Sequence, residues 1–155
     1  MGFLMFVLIG FGVLGSAPIN PRRMRNPRWG YLAAVAAGPI SNLILAVILG
    51  IVFRILLAFN APQLLFGILT FMIYMNLLLF LFNLIPLFPL DGWYIVYSLL
   101  PPDLAYKWER TAQYSQFVFL ALILVSFTNI LPPAIDPLNL LIRAPLNFLL
   151  GLILG

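Results

Sequence analysis

The sequence predicts an all-α, polytopic membrane protein with about four transmembrane helices and a partial C-terminal helix. Hydrophobic residues make up 64% of the 155 residues and charged residues only 8%, whereas soluble domains carry about 25% charged residues. Charge-free stretches such as residues 31–53 are long enough for a transmembrane helix of about 20 residues. Proline-containing turns separate these stretches. A water-soluble fold is therefore excluded, and the lipid bilayer is the first expected partner.

The chain is expected to form one membrane domain built from five apolar segments. In the second segment Pro39 predicts a kink, because proline removes a backbone hydrogen bond. Arg54, near the outer end of that segment, is expected to extend to the membrane surface. Arg143 and Pro145 interrupt the last segment, which fits a partial or interfacial helix better than a full span. The five segments are residues 1–15, 31–59, 63–83, 112–131 and 138–155.

The first segment allows two interpretations. Residues 1–15 correspond to about 22 Å of helix, which is short for a full crossing. A secretory signal peptide ends in small residues, and Gly15, Ser16 and Ala17 form such a run. However, no Lys or Arg precedes the apolar run, and four arginines follow it. We therefore expect a short first membrane segment.

The basic residues predict the orientation of the segments. If the crossings alternate, residues 16–30 and the region 84–111 share one side, and residues 60–62 and 132–137 lie on the other. The first side holds most of the basic residues and all three tryptophans, so the positive-inside rule makes it cytoplasmic, in a bacterial inner membrane. The residues on this side are Arg22, Arg23, Arg25, Arg28, Lys107 and Arg110, with Trp29, Trp93 and Trp108.

The charge and aromatic patterns also indicate which partners to expect. An arginine cluster can bind nucleic acid or acidic lipid headgroups. Its place between two apolar segments favours retention in the cytoplasm instead, and no nucleic-acid partner is expected. The outer side lacks the Trp and Tyr residues that usually anchor a membrane protein at both surfaces. We therefore expect other membrane protein subunits to cover the helices there.

Asp91 is the strongest candidate for a functional residue in this sequence. It is the only acid in the apolar residues 84–92, where Pro86 and Pro89 prevent a regular helix. An ionisable group at membrane depth is a functional hypothesis by default, and this one could serve as a metal ligand in a membrane cavity. The alternative is structural, because an Asp before a Gly can cap the N-terminus of a helix, here a short helix over residues 92–100.

The residues around Asp91 resemble a known motif. The run from Asn83 to Gly92, with Pro86 and Pro89, is similar to the N-x-x-P-x-x-P-L-D-G motif of the site-2 protease family of intramembrane zinc metallopeptidases. A second block upstream is similar to the A-G-P-x-x-N signature of that family. Its residues are Gly38, Pro39 and Asn42.

The resemblance implies a site-2-protease-like core in which Asp91 is the third zinc ligand. It also implies that Asn42 and Asn83 line the groove where the substrate backbone docks. The alternative for these two residues is hydrogen bonding between helices. Gly38, Pro39, Pro86, Pro89 and Gly92 then belong to the groove or to the structural motif.

The family's other zinc ligands are the two histidines of an H-E-x-x-H helix, whose glutamate is the general base. This sequence has no His and no Cys, and its first glutamate is Glu109. We therefore expect a core without the catalytic helix, no catalytic residue in this chain, and zinc only if histidines are supplied from elsewhere. Two interpretations stay open: a non-catalytic structural or accessory subunit of a larger membrane complex, or a C-terminal fragment of an active protease whose H-E-x-x-H lies upstream.

Overall fold

The structure is a computed structural model that describes residues 26–59, 61–128, 131–132 and 135–155. All regular secondary structure in these residues is helical, and they contain no strand. The predicted segment 1–15 and the arginines at positions 22, 23 and 25 lie outside the described residues. The helices are α1 (Pro27–Ala58), α2 (Gln63–Asn83), α3 (Asp91–Leu99), α4 (Pro102–Glu109), α5 (Ala112–Phe127) and α6 (Pro137–Leu154).

Three of these helices, α1, α2 and α6, are long and apolar enough to cross a membrane. Helix α5 is apolar but has only 16 residues, fewer than the roughly 20 that a bilayer crossing requires. The described residues therefore support three spans, and the expected count of about four stays a prediction. Pro39 lies inside α1, fully buried, and α1 is assigned as one helix on both sides of it.

The core lies where α1, α2 and α6 meet. Ala46, Ile73 and Leu77 are completely buried, and Leu146 packs into the same cluster. At the far end of the α1–α2 pair, the rings of Phe53 and Phe66 pack edge to face with centroids 5.1 Å apart. Helices α1 and α2 therefore run antiparallel around a shared apolar seam.

Helix α6 runs in the same direction as α1. Its first turn shares a cavity with Tyr74 and Leu78, which lie near the middle of α2. Its last turn reaches Arg54, whose Nε donates to the carbonyl oxygen of Ile153 at 3.1 Å and whose Nη2 donates to that of Leu152 at 3.2 Å. The guanidinium thus satisfies carbonyls that a helix C-terminus leaves without partners.

This arrangement adds to one expectation and corrects another. Arg54 is exposed and binds the end of α6, and its extension to the membrane surface stays a prediction. Asp136 lies midway along α2 and not at the Arg54 end, where alternating crossings would have placed residues 132–137. Its carboxylate is buried and caps α6, since Oδ1 accepts hydrogen bonds from Ser126 Oγ at 2.8 Å and from the backbone N–H of Leu138 at 2.9 Å.

Candidate functional site around Asp91

The segment that carries Asp91 leaves α2 at Asn83 and turns sharply. Pro86 and Pro89 stop the helix, because neither can donate a backbone hydrogen bond. The backbone N–H of Phe88 donates to Ser115 Oγ at 2.8 Å, which fixes the turn against α5. Irregular backbone of this kind is stable at membrane depth only where protein covers it, and here α5 provides the hydrogen-bond partner.

Asp91 is the first residue of α3 and does not cap it. Leu90 occupies the N-cap position, and no side chain makes a capping hydrogen bond there. The expected helix over residues 92–100 starts one residue earlier, so the capping interpretation of Asp91 is wrong. The carboxylate still lies in the first turn, where the helix dipole favours negative charge.

The two motifs of the resemblance meet at Asp91. A Cβ added to Gly38 would lie 3.1 Å from Asp91 Oδ2, so the carboxylate rests against the bare backbone of α1. A larger residue at position 38 would displace the carboxylate. Glycine in the A-G-P block therefore provides the space that the aspartate of the P-L-D-G block occupies.

Gly92 fixes the start of α3 against the preceding turn. A Cβ at this position would clash with the carbonyl oxygens of Leu84 and Ile85, and it would lie 2.5 Å from the carbonyl carbon of Leu84. These are backbone atoms, which cannot rotate away. Only glycine permits this approach, and the approach sets where Asp91 lies.

Arg28 holds the other end of α3. Its Nε donates to the carbonyl oxygen of Ser98 at 2.7 Å. Its Nη2 donates to those of Leu99 at 2.7 Å and Leu100 at 3.0 Å. From the sequence, Arg28 was predicted only as one member of an arginine cluster, with no structural role of its own. Its contact with residues some 70 positions away has no local sequence signal, since it depends on how α1 and α3 pack.

Aromatic side chains pack along α3 and tie it to its neighbours α1 and α4. Trp93 is only 4% exposed, and its ring stacks on those of Tyr97 and Trp108, with centroids 5.8 and 6.2 Å away. Trp108 Nε1 donates to the carbonyl oxygen of Trp93 at 3.1 Å, which ties α4 to α3. Tyr94 packs edge to face on Tyr31 of α1.

The remaining motif residues fall near the same place. Asn42 lies one turn beyond Gly38 on α1, and Asn83 ends α2; both are half-buried. Their assignment to a substrate groove stays a prediction. Pro86 and Pro89 are exposed on the turn that leads to Asp91.

The donor set of this chain does not by itself fit a zinc ion. A catalytic zinc takes three protein ligands. The described residues contain no group of three His, Cys, Asp or Glu side chains that could hold a metal, and the full sequence has no His and no Cys. Asp103 and Glu109 are exposed on α4. Asp91 is thus a single carboxylate at this place, and its role as a zinc ligand stays a prediction.

Comparison with known proteins supports the resemblance. The chain is 38% identical over 128 residues to a protein of Bacillus subtilis (strain 168) named "Putative zinc metalloprotease YwhC". The chain is a homologue of that protein. The match takes in 78% of this chain and 58% of the relative, so the chain spans little more than half of the relative's length.

No family model matches the sequence, and no solved structure is similar to it. The relative's name and the three apolar helices together indicate a metalloprotease-like membrane protein.

Proposed function

We propose that the chain is the Asp91-bearing part of a site-2-protease-like membrane zinc metallopeptidase and does not catalyse by itself. The observation that carries this proposal is the contact between Gly38 and Asp91, which joins the two motifs that resemble the family. The homologue named as a zinc metalloprotease supports it independently.

In this proposal each residue of the site has a structural task. Asp91 supplies one carboxylate ligand. Gly38 leaves room for it, Gly92 sets its position through the backbone of Leu84 and Ile85, and Arg28 holds the far end of α3. Two histidines and a general base come from a segment outside these 155 residues, because the sequence offers neither a histidine nor an acid near Asp91.

The proposed setting is the bacterial inner membrane, with the arginine-rich loop in the cytoplasm. The support for this orientation is the distribution of basic residues and tryptophans.

Metal content tests the proposal directly. We expect the chain alone to bind no stoichiometric zinc, and the chain joined to an H-E-x-x-H helix, for instance that of a full-length relative, to bind about one zinc per protein. Asp91→Asn should remove that zinc, whereas the control Asp103→Asn, at an exposed position on α4, should retain it. Elemental analysis of purified protein gives the stoichiometry.

A second candidate is a non-catalytic structural subunit of a larger membrane complex. The absence of His and Cys from the sequence favours it. It predicts no zinc in the chain alone or in the chain joined to the H-E-x-x-H helix, and it predicts stoichiometric co-purification with other membrane subunits. If the joined protein kept its zinc after Asp91→Asn, the first proposal would be contradicted. If the joined protein bound zinc and lost it only after Asp91→Asn, the second would be contradicted.

A further inference from the structure

A cavity of about 500 Å³ opens between the first turn of α1, the end of α3 and the helix α4. Neither Gly38 nor Asp91 lines it, although Arg28, which does, also holds the end of α3. Its wall is mostly apolar, with one cation and two phenol side chains. The residues that define it are Pro27, Leu100 and Ala105, with Arg28, Tyr31 and Tyr97.

The exposed side chains around the cavity are of the types that concentrate at the lipid headgroups. Trp29 and Tyr106, on the two helices that border it, are 57% and 64% exposed. Exposed Trp and Tyr side chains concentrate at the membrane–water boundary. Lys107 and Arg110 are exposed at the same end. A lipid molecule in the surrounding leaflet therefore has its polar part level with this opening.

The chemistry of the cavity fits a phosphate attached to an apolar body. Arg28 uses Nε and Nη2 on the carbonyls of α3, while its Nη1 has no hydrogen-bond partner among the described residues. A guanidinium is a strong donor to phosphate oxygens. Three further arginines precede Arg28 closely in the sequence, and a basic stretch beside a transmembrane helix attracts anionic lipids.

We propose that this cavity binds an anionic phospholipid, with the phosphate at Arg28 and the glycerol and upper acyl chain along Pro27, Leu100 and Ala105. The lipid joins α1, α3 and α4 at their shared end. The proposal does not depend on zinc or on proteolysis, so its failure leaves the proposed function untouched.

Short-chain lipids provide the probe. The detergent-solubilised chain is titrated separately with dihexanoyl phosphatidylglycerol, dihexanoyl phosphatidylcholine and inorganic phosphate, and tryptophan fluorescence reports binding. We expect phosphatidylglycerol to bind at least about tenfold more tightly than either of the others. Equal binding of inorganic phosphate would identify a simple anion site, and equal binding of phosphatidylcholine would remove the role of charge; either result overturns the proposal.

Two substitutions of alanine by phenylalanine distinguish binding in the cavity from attraction to the charged surface. Ala105→Phe fills the cavity and leaves every charge in place, so we expect phosphatidylglycerol to bind about tenfold more weakly. Ala121→Phe, on an exposed position of α5, is the matched control and should bind as the unmodified chain does. Unchanged binding by Ala105→Phe overturns the proposal.

The charge variants complete the test. Arg28→Gln should weaken binding, but it also releases the end of α3, so the filled cavity remains the deciding variant. Lys107→Gln should leave the affinity nearly unchanged. If Lys107→Gln weakened binding as much as Arg28→Gln, attraction to the basic surface would account for the affinity, and the cavity site would be rejected.

Discussion

Gly92→Ala should destabilise the protein more than Gly38→Ala, the substitution of the other glycine at the Asp91 site. The added Cβ would lie 2.5 Å from the carbonyl carbon of Leu84, whereas carbon atoms pack at about 3.5–4.0 Å. The turn before α3 must therefore move by about 1 Å. Overpacking against parts that cannot rotate away typically costs about 1–3 kcal/mol, and we expect the upper part of that range.

The assay is unfolding in mixed micelles, followed by helical circular dichroism as the denaturing detergent is increased. Gly67→Ala is the matched control, because a Cβ there meets no atom within 4 Å, and it should be neutral or stabilising by up to about 1 kcal/mol. Gly38→Ala should lose less stability than Gly92→Ala, since the Asp91 carboxylate can rotate. A Gly92→Ala protein as stable as the Gly67→Ala protein would refute the close backbone approach.

Three further predictions concern other parts of the molecule. Arg54→Gln should cost about 1–3 kcal/mol through lost charged hydrogen bonds and speed amide exchange in the last turn of α6; protection equal to that of the unmodified chain would rule out the cap. Asp136 Oδ1 accepts hydrogen bonds from Ser126 Oγ and from two backbone N–H groups at the start of α6. Asp136→Ala should therefore cost about 0.5–2 kcal/mol and speed amide exchange in the first turn of α6; exchange equal to that of the unmodified chain would contradict the cap. Cysteines placed at Met24 and Ala61 should react with impermeant reagents from opposite sides of the membrane; labelling from the same side would disprove the orientation.

The sequence predicted the class of fold because lipid leaves few choices. A chain with 64% hydrophobic residues must satisfy its backbone within helices, and charge-free runs such as residues 63–83 show where they lie. The end of α2 could also be predicted, because prolines follow it closely. The direction of α6 could not be predicted, since it depends on contacts between Arg54 and carbonyls almost a hundred positions away.

The candidate site was predicted in part. The motifs singled out Asp91 and Gly38, and the structure brings them together. The expected cap failed because no side chain makes a capping hydrogen bond at the start of α3. Propensities cannot resolve a difference of one residue in a helix start, since helix ends fray and are defined only to within one or two residues.

The stacked rings beside α3 give this molecule a built-in optical reporter. Trp93 and Trp108 lie 6.2 Å apart with their planes 25° from parallel, close enough for their excited states to couple and shape the near-ultraviolet circular dichroism. Trp93 is buried within the protein while Trp29 is largely exposed on its surface, so the two should emit at different wavelengths. Because Trp93 lies two residues after Asp91 in α3, a movement of α3 should change the fluorescence and near-ultraviolet circular dichroism of Trp93. No added label is needed.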